Sequence, residues 1–312
     1  MRIYRYTFLV FGAIIILAVI AAGWISFRTS HSDERPDSVT WVWDLNRLLG
    51  GDSAKVDSAV SFLKEHQVVA VYLYAPGSIV ESAELPLYRS FIEAARGQNI
   101  DVHALGGERE WALKEQSPGL TAFLQRVADY NDSVPAEARF TGVHLDVEPY
   151  SLPEWDSDQS DVIRNWKSVV STAREFAWAH SLALGVDLPF WLDGIPAGSD
   201  GDSAKTLDAW MMANSDSVAL MSYRTEAEGD NGVLALVRQE MEHAAADSDC
   251  RVYIGLNAAA DTDAKLTFKN KGIAPFNRVS SQIRRAYGKA SAFGGIAVHD
   301  LDAWMALERD KP

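Results

Sequence analysis

Cysteine is nearly missing: Cys250 is the single example in 312 residues. One thiol forms no internal disulfide and no cysteine-based zinc site. In a strand-like run it reads as an inert buried residue. Basic residues are also few, 29 Lys and Arg against 43 Asp and Glu. The net charge of −14 opposes binding to a phosphate backbone, which argues against nucleic acid as a partner. No Gly-x-Ser-x-Gly elbow and no Gly-x-x-x-x-Gly-Lys-[Ser/Thr] loop occurs, so serine-hydrolase and phosphate-loop chemistry lack support. The first strand candidate, Trp41-Val42-Trp43-Asp44, has no His-x-His pair. His31, His66, His180 and His243 fall in a linker or on helices. Metal catalysis therefore ranks low, with no metal ligand and no cofactor expected.

Charge is also missing from one long stretch. Tyr6 to Phe27 is apolar and uninterrupted, between Arg5 and Arg28. It is long enough to cross a bilayer core of ~30 Å and longer than the apolar region of about 7–15 residues in a cleaved signal. A retained signal-anchor over residues 1–28 is expected, with Ala21-Ala22-Gly23 as the alternative cleavage point. Arg2 and Arg5 favour a cytoplasmic N-terminus. The remainder would then lie outside the cytoplasmic membrane: a polar linker over 29–38 and a folded domain over 39–312.

What is present in that domain is alternation. Strand patterns at 40–44, 68–74, 100–105, 141–148, 182–188, 217–223, 251–256 and 294–298 are interleaved with helical spacing. The helical segments are 53–66, 85–98, 118–130, 161–180, 204–213, 232–246, 279–287 and 301–308. Eight such pairs fit an α/β fold of the (β/α)8 TIM-barrel type, preceded by the transmembrane helix. An open doubly wound sheet is the competitor. It usually has fewer strands and a Gly-rich loop after the first, where this chain has Leu48-Leu49-Gly50-Gly51-Asp52.

The fourth strand candidate carries the densest chemistry. In Thr141-Gly142-Val143-His144-Leu145-Asp146-Val147-Glu148-Pro149-Tyr150, alternation puts Val143, Leu145 and Val147 on one face and His144, Asp146 and Glu148 on the other. Pro149 has no N–H and stops the ladder. Asp146 and Glu148 then stand at the carboxyl end, where barrel enzymes place their chemistry. Two adjacent carboxyls in a low-dielectric cleft push one pKa upward, which suits a general acid. The competing reading is a structural ion pair, for instance with Arg224.

Four stretches, in order, resemble the glycoside hydrolase family 18 (chitinase-type) barrels. Gly142, Asp146 and Glu148 match that family's Asp-Gly-x-Asp-x-Asp-x-Glu signature, with Thr141 and His144 in place of two aspartates. Ala104-Leu105-Gly106-Gly107 is similar to its Ser-x-Gly-Gly, and Met221-Ser222-Tyr223 to its Met-x-Tyr. Gly294-Gly295-Ile296-Ala297-Val298-His299 is similar to its last strand, with His299 where the family has Trp. The resemblance implies a retaining, substrate-assisted hydrolysis. Glu148 would protonate the leaving oxygen, Asp146 would hold an acetamido nitrogen, and Tyr223 would donate to the acetamido oxygen. His144 in its slot could pair with Asp146. The departures at His144 and His299 point to a glycan other than chitin.

Further substrate contacts are expected at His144, Asp187, Met221, Trp43, Trp191, Asn257 and His299. If the substrate lacks an acetamido group, Asp187 or Glu226 could serve as nucleophile; a loop-cap role for Asp187 is equally open. Trp41, Trp43, Trp155 and Trp191 read first as core or loop anchors and second as sugar platforms. Trp166, Trp178, Trp210 and Trp304 read as core. The expected protein is an extracytoplasmic hydrolase of a polysaccharide or oligosaccharide, held at the membrane by its N-terminal helix. The alternative is a glycan-binding barrel whose catalytic set has decayed.

Overall fold

The structure is a computed structural model describing residues 37–77, 79–114, 117–198, 205–247 and 249–309. The expected anchor, 1–28, and most of the linker lie outside the described residues. No helix among the described residues is long and apolar enough to cross a membrane.

Eight parallel strands close into a barrel in sequence order. They are β1 (Asp37–Val42), β2 (Val68–Tyr74), β3 (Asp101–Gly106) and β4 (Gly142–Leu145), then β5 (Ala183–Pro189), β6 (Ser217–Met221), β7 (Arg251–Asn257) and β8 (Phe293–His299). β1 pairs with both β2 and β8, which shuts the cylinder. Helices cover the outside, as parallel connections require.

The pleat separates two cores. Val71 and Leu73 of β2 face outward into the large core beneath the helices. Ala70 and Tyr72 face inward with Val39, Trp41, Leu105, Ala219 and Ala297. The helix Val56–Glu65 buries Val56, Ala59, Val60 and Leu63 at three- and four-residue spacing. Each fully buried Val or Leu contributes about 1.5–3 kcal/mol. Asp158 caps the helix Gln159–Ala179 by accepting from the Asp161 N–H. Gln67, Asn99 and Ser181 lie between a helix and the next strand with φ of 56°, 60° and 57°. Their N–H groups return to Lys64, Arg96 and Trp178 carbonyls. The left-handed residue ends each helix and turns the chain into the strand within a few residues.

Several expected boundaries are corrected. β1 takes in Asp37 and Ser38, assigned to the linker, and ends before Trp43. β4 stops at Leu145 and β6 at Met221, so Asp146, Glu148 and Tyr223 stand beyond their strands. The segment 232–246 is two helices, Val233–Leu236 and Arg238–Asp247. The helix expected from 279 begins at Ile273, because Pro275 occupies the first turn, where a missing N–H has no intrahelical partner to lose. Trp178 is not core: it is 77% exposed. Its helix buries Ala173 and Ala177, and the next residue is turned about 100° away.

Candidate active site

The floor of the cleft is a sealed polar pair. His144 on β4 and Asp187 on β5 are 0% and 3% exposed. His144 Nε2 lies 2.9 Å from Asp187 Oδ1, and Trp41 Nε1–H donates to Asp187 Oδ2 at 2.9 Å. The Tyr72 ring stacks on His144 at 3.5 Å. Gly185, paired with His144 across the β4–β5 ladder, makes room for it: a Cβ there would come within 2.4 Å of His144 Nδ1. Burial pushes the Asp187 carboxyl well up and the His144 imidazole well down, disfavouring charge on either. His103 completes this layer beside Tyr72, and burial pushes its imidazole down to about 4.

Two residues after His144, just past the end of β4, the chain is less buried. Asp146 and Glu148 are half-buried. The Asp146 N–H donates to the Gly106 carbonyl at 3.1 Å, and a Cβ on Gly107 would come within 2.0 Å of the Asp146 carbonyl oxygen. The Gly106-Gly107 pair thus lets the end of β3 lie directly against the backbone that carries Asp146. Asp146 Oδ1 is buried without a hydrogen-bond partner. Burial, then the nearby Asp187 and Glu148 charges, push its carboxyl up to about 9. A carboxyl that keeps its proton at neutral pH can both donate and accept.

Glu148 is held in place by the next three residues. Pro149–Ser151 forms a 3-10 turn. The Ser151 hydroxyl donates to the Glu148 carbonyl at 2.8 Å, and the Tyr150 hydroxyl donates to Glu148 Oε1 at 2.6 Å. Tyr223 is half-buried at the end of β6. Burial and then Asp187, Asp146 and Glu148 hold its hydroxyl well above the ordinary range, so it stays a donor.

A second network adjoins Tyr223, whose ring lies 5.7 Å from that of His299. Trp43 Nε1–H donates to His299 Nε2 at 3.1 Å, and His299 Nδ1 faces Asn257 Oδ1 at 3.3 Å. Trp43 only donates, so His299 Nε2 carries no proton and Nδ1 does. A neutral ring agrees with burial lowering the His299 pKa. Asn257 is 4% exposed, and its Oδ1 also accepts the Ala259 N–H, the turn role.

The structure therefore brings Asp146, Glu148 and Tyr223 near one another beyond the strand ends, with His299 beside Tyr223 and bonded to Trp43. His144 pairs with Asp187 rather than with Asp146, and neither offers more than 3% of its surface. Asp187 is a strand residue and not a loop cap. Glu226 is exposed beyond β6. Met221 and Trp191 are half-buried, Trp191 against Tyr150 at 5.1 Å. Arg224 does not pair with the carboxyls: it bonds the Asn231 side chain and the Tyr223 carbonyl and lies over Phe190. Among the described residues no three His, Cys, Asp or Glu are placed to hold a metal ion. Sequence reasoning missed Tyr150, His103 and the tie between Trp41 and Asp187. Inward parity on β1 and β3 was the available signal for the last two.

The fold is a closed barrel of eight parallel strands with a carboxyl pair just beyond β4. No family model matches the chain, and none of the curated proteins matches it. Solved structures do match in fold. Catalytic domain 2 of the Ostrinia furnacalis Group II chitinase is 12% identical with a TM-score of 0.56, covering 86% of this chain and 91% of its own. The GH18 chitinase from Cycas revoluta, in complex with (GlcNAc)3, is 12% identical with a TM-score of 0.52, covering 87% and 97%. The xylanase and alpha-amylase inhibitor protein from Scadoxus multiflorus gives the same identity and TM-score, covering 88% and 96%. The chain has a divergent chitinase-type barrel fold.

Proposed function

We propose that the chain is a glycoside hydrolase acting at the mouth of the barrel on an N-acetylated polysaccharide or oligosaccharide. One observation carries the reading: Asp146, with a buried and unpartnered Oδ1, stands beside Glu148 at the carboxyl end of β4. Such a carboxyl is costly unless a ligand completes it. Glu148 gives its proton to the glycosidic oxygen as the bond to the anomeric carbon breaks. The acetamido oxygen forms the replacing bond to that carbon. Asp146 accepts from the acetamido N–H, and Tyr223 donates to the acetamido oxygen. Positive charge developing on the acetamido group favours the ionised form of Asp146. Water then attacks the anomeric carbon and gives a proton to Glu148, as the bond from that carbon to the acetamido oxygen breaks and the acetamide is restored. His144, held by Asp187, leaves Asp146 available to the sugar.

The apolar run within residues 1–28 supports an anchor that keeps the barrel on the outer side of the cytoplasmic membrane. Sedimentation of the chain with membranes, and protease access from outside, test that placement.

A glycan-binding barrel without hydrolysis is the second reading. It is favoured by His299 being tied to Trp43 and Asn257, and by the same fold in a protein named as an inhibitor. Glu148→Gln decides between them. On a panel of N-acetylglucosamine oligomers and peptidoglycan strands, the wild type releases reducing ends and the variant is slower by about 10²–10⁴-fold. Equal rates would remove Glu148 as the acid, and a wild type that binds without cleaving would favour the second reading.

A further inference from the structure

We infer that Tyr150 is a positioning residue for Glu148, selecting which carboxyl oxygen carries the proton. This rests on Glu148 being the acid proposed above. The Tyr150 hydroxyl approaches Glu148 Oε1 at 2.6 Å, within the range of an O–H···O hydrogen bond. The tyrosine ring is enclosed by Trp191 at 5.1 Å, Trp155 at 6.3 Å and Trp166 at 6.4 Å. None of these rings gives its proton a better acceptor, since an indole N–H only donates. The hydroxyl therefore points its hydrogen at Oε1, and its own ionisation is pushed out of range, by burial first and by Glu148 second.

An oxygen already receiving a proton is a poor place for a second one along the same line. The acid proton of Glu148 is left to Oε2, which has no hydrogen-bond partner among the described residues although the side chain is half-buried. The backbone reinforces the choice. Ser151 bonds the Glu148 carbonyl through both its N–H, at 3.2 Å, and its hydroxyl, at 2.8 Å. These bonds hold the Glu148 backbone in the turn from which Tyr150 reaches Oε1. Oε2 presents the proton to the glycosidic oxygen in the first step and accepts one from water in the second.

Tyr150→Phe removes the hydroxyl and keeps the ring between its tryptophans, so the packing survives. The test is carried out on the full chain by ¹³C NMR of carboxyl-labelled glutamate, with Glu148 identified by the signal lost in Glu148→Gln. Without the donor, the carboxylate form is less favoured, and the Glu148 signal titrates higher by about one pH unit. With the 4-methylumbelliferyl glycoside of an N-acetylglucosamine trimer as probe, the high-pH limb of kcat moves the same way. kcat falls about 10-fold and KM stays within about two-fold. Adding Tyr150→Phe to Glu148→Gln produces no further loss.

A Glu148 signal that titrates identically in wild type and Tyr150→Phe overturns the inference, as does a loss confined to KM. The failure of the underlying reading looks different: Glu148→Gln hydrolyses the probe as fast as wild type, while the titration still decides the Tyr150 contact.

Discussion

Asp146 and Glu240 are both carboxyls with buried, unpartnered oxygens, and they lie on different sides of the barrel wall. Asp146 follows β4 at the mouth. Glu240 is on the helix Arg238–Asp247 outside the strands and is 0% exposed. Burial is the first cause of the upward push in both, to about 9 for Asp146 and about 8 for Glu240. Their neighbours differ. Asp146 is half-buried, beside Glu148, and its charge adds to the burial that keeps the Tyr223 hydroxyl protonated. Glu240 faces Asp193 and Asp208, with Asp208 bonded to His243 at 2.6 Å, and is sealed from solvent. A perturbed carboxyl marks a site only when a substrate can reach it and an acid–base partner stands beside it. Glu240 is the control that Asp146 needs.

The comparison breaks if the two respond alike. The largest difference is expected in Asp146→Asn, which lowers kcat by about 10²-fold or more because an amide cannot ionise against the positive charge developing on the acetamido group. The same variant unfolds at a higher temperature than wild type at pH 9. The carboxyl keeps its proton up to about 9 when folded and loses it near 4 when unfolded, so its stability cost grows as pH rises through that window. Asp187→Ala comes next. It strands the Trp41 N–H and the His144 ring in a dry layer and destabilises the fold by about 3 kcal/mol, read by chemical denaturation. Glu240→Gln has the smallest effect. It leaves kcat unchanged and stabilises the fold above pH 8 on the order of 2 kcal/mol, an advantage lost on acidification toward the unfolded carboxyl range below pH 5. Loss of kcat in Glu240→Gln would undo the contrast.

The barrel was readable because strand parity and helical spacing are local properties. Val71 and Leu73 against Ala70 and Tyr72 already separate the two cores. The placement of Asp146 and Glu148 on one side was legible for the same reason. Pairings across strands were not. His144 and Asp187 meet only through the β4–β5 register, which sets His144 opposite Gly185 and brings Asp187 one inward step further on. Pairing His144 with Asp146 from the sequence lacked that register. Tyr150 was hidden because Pro149 looked like a stop, whereas it starts a turn that folds the tyrosine back over Glu148. Trp178 was misplaced because ring size suggested burial while the helical face decided against it.

The central claim is that Asp146 is unpartnered because a sugar acetamido group completes it. A crystal structure of Glu148→Gln with a bound N-acetylglucosamine oligomer tests this directly. The account predicts the acetamido nitrogen within about 3 Å of an Asp146 carboxyl oxygen, and the acetamido oxygen at the same distance from the Tyr223 hydroxyl. An oligomer bound with its acetamido group turned away from Asp146, or seated outside the mouth, would contradict it.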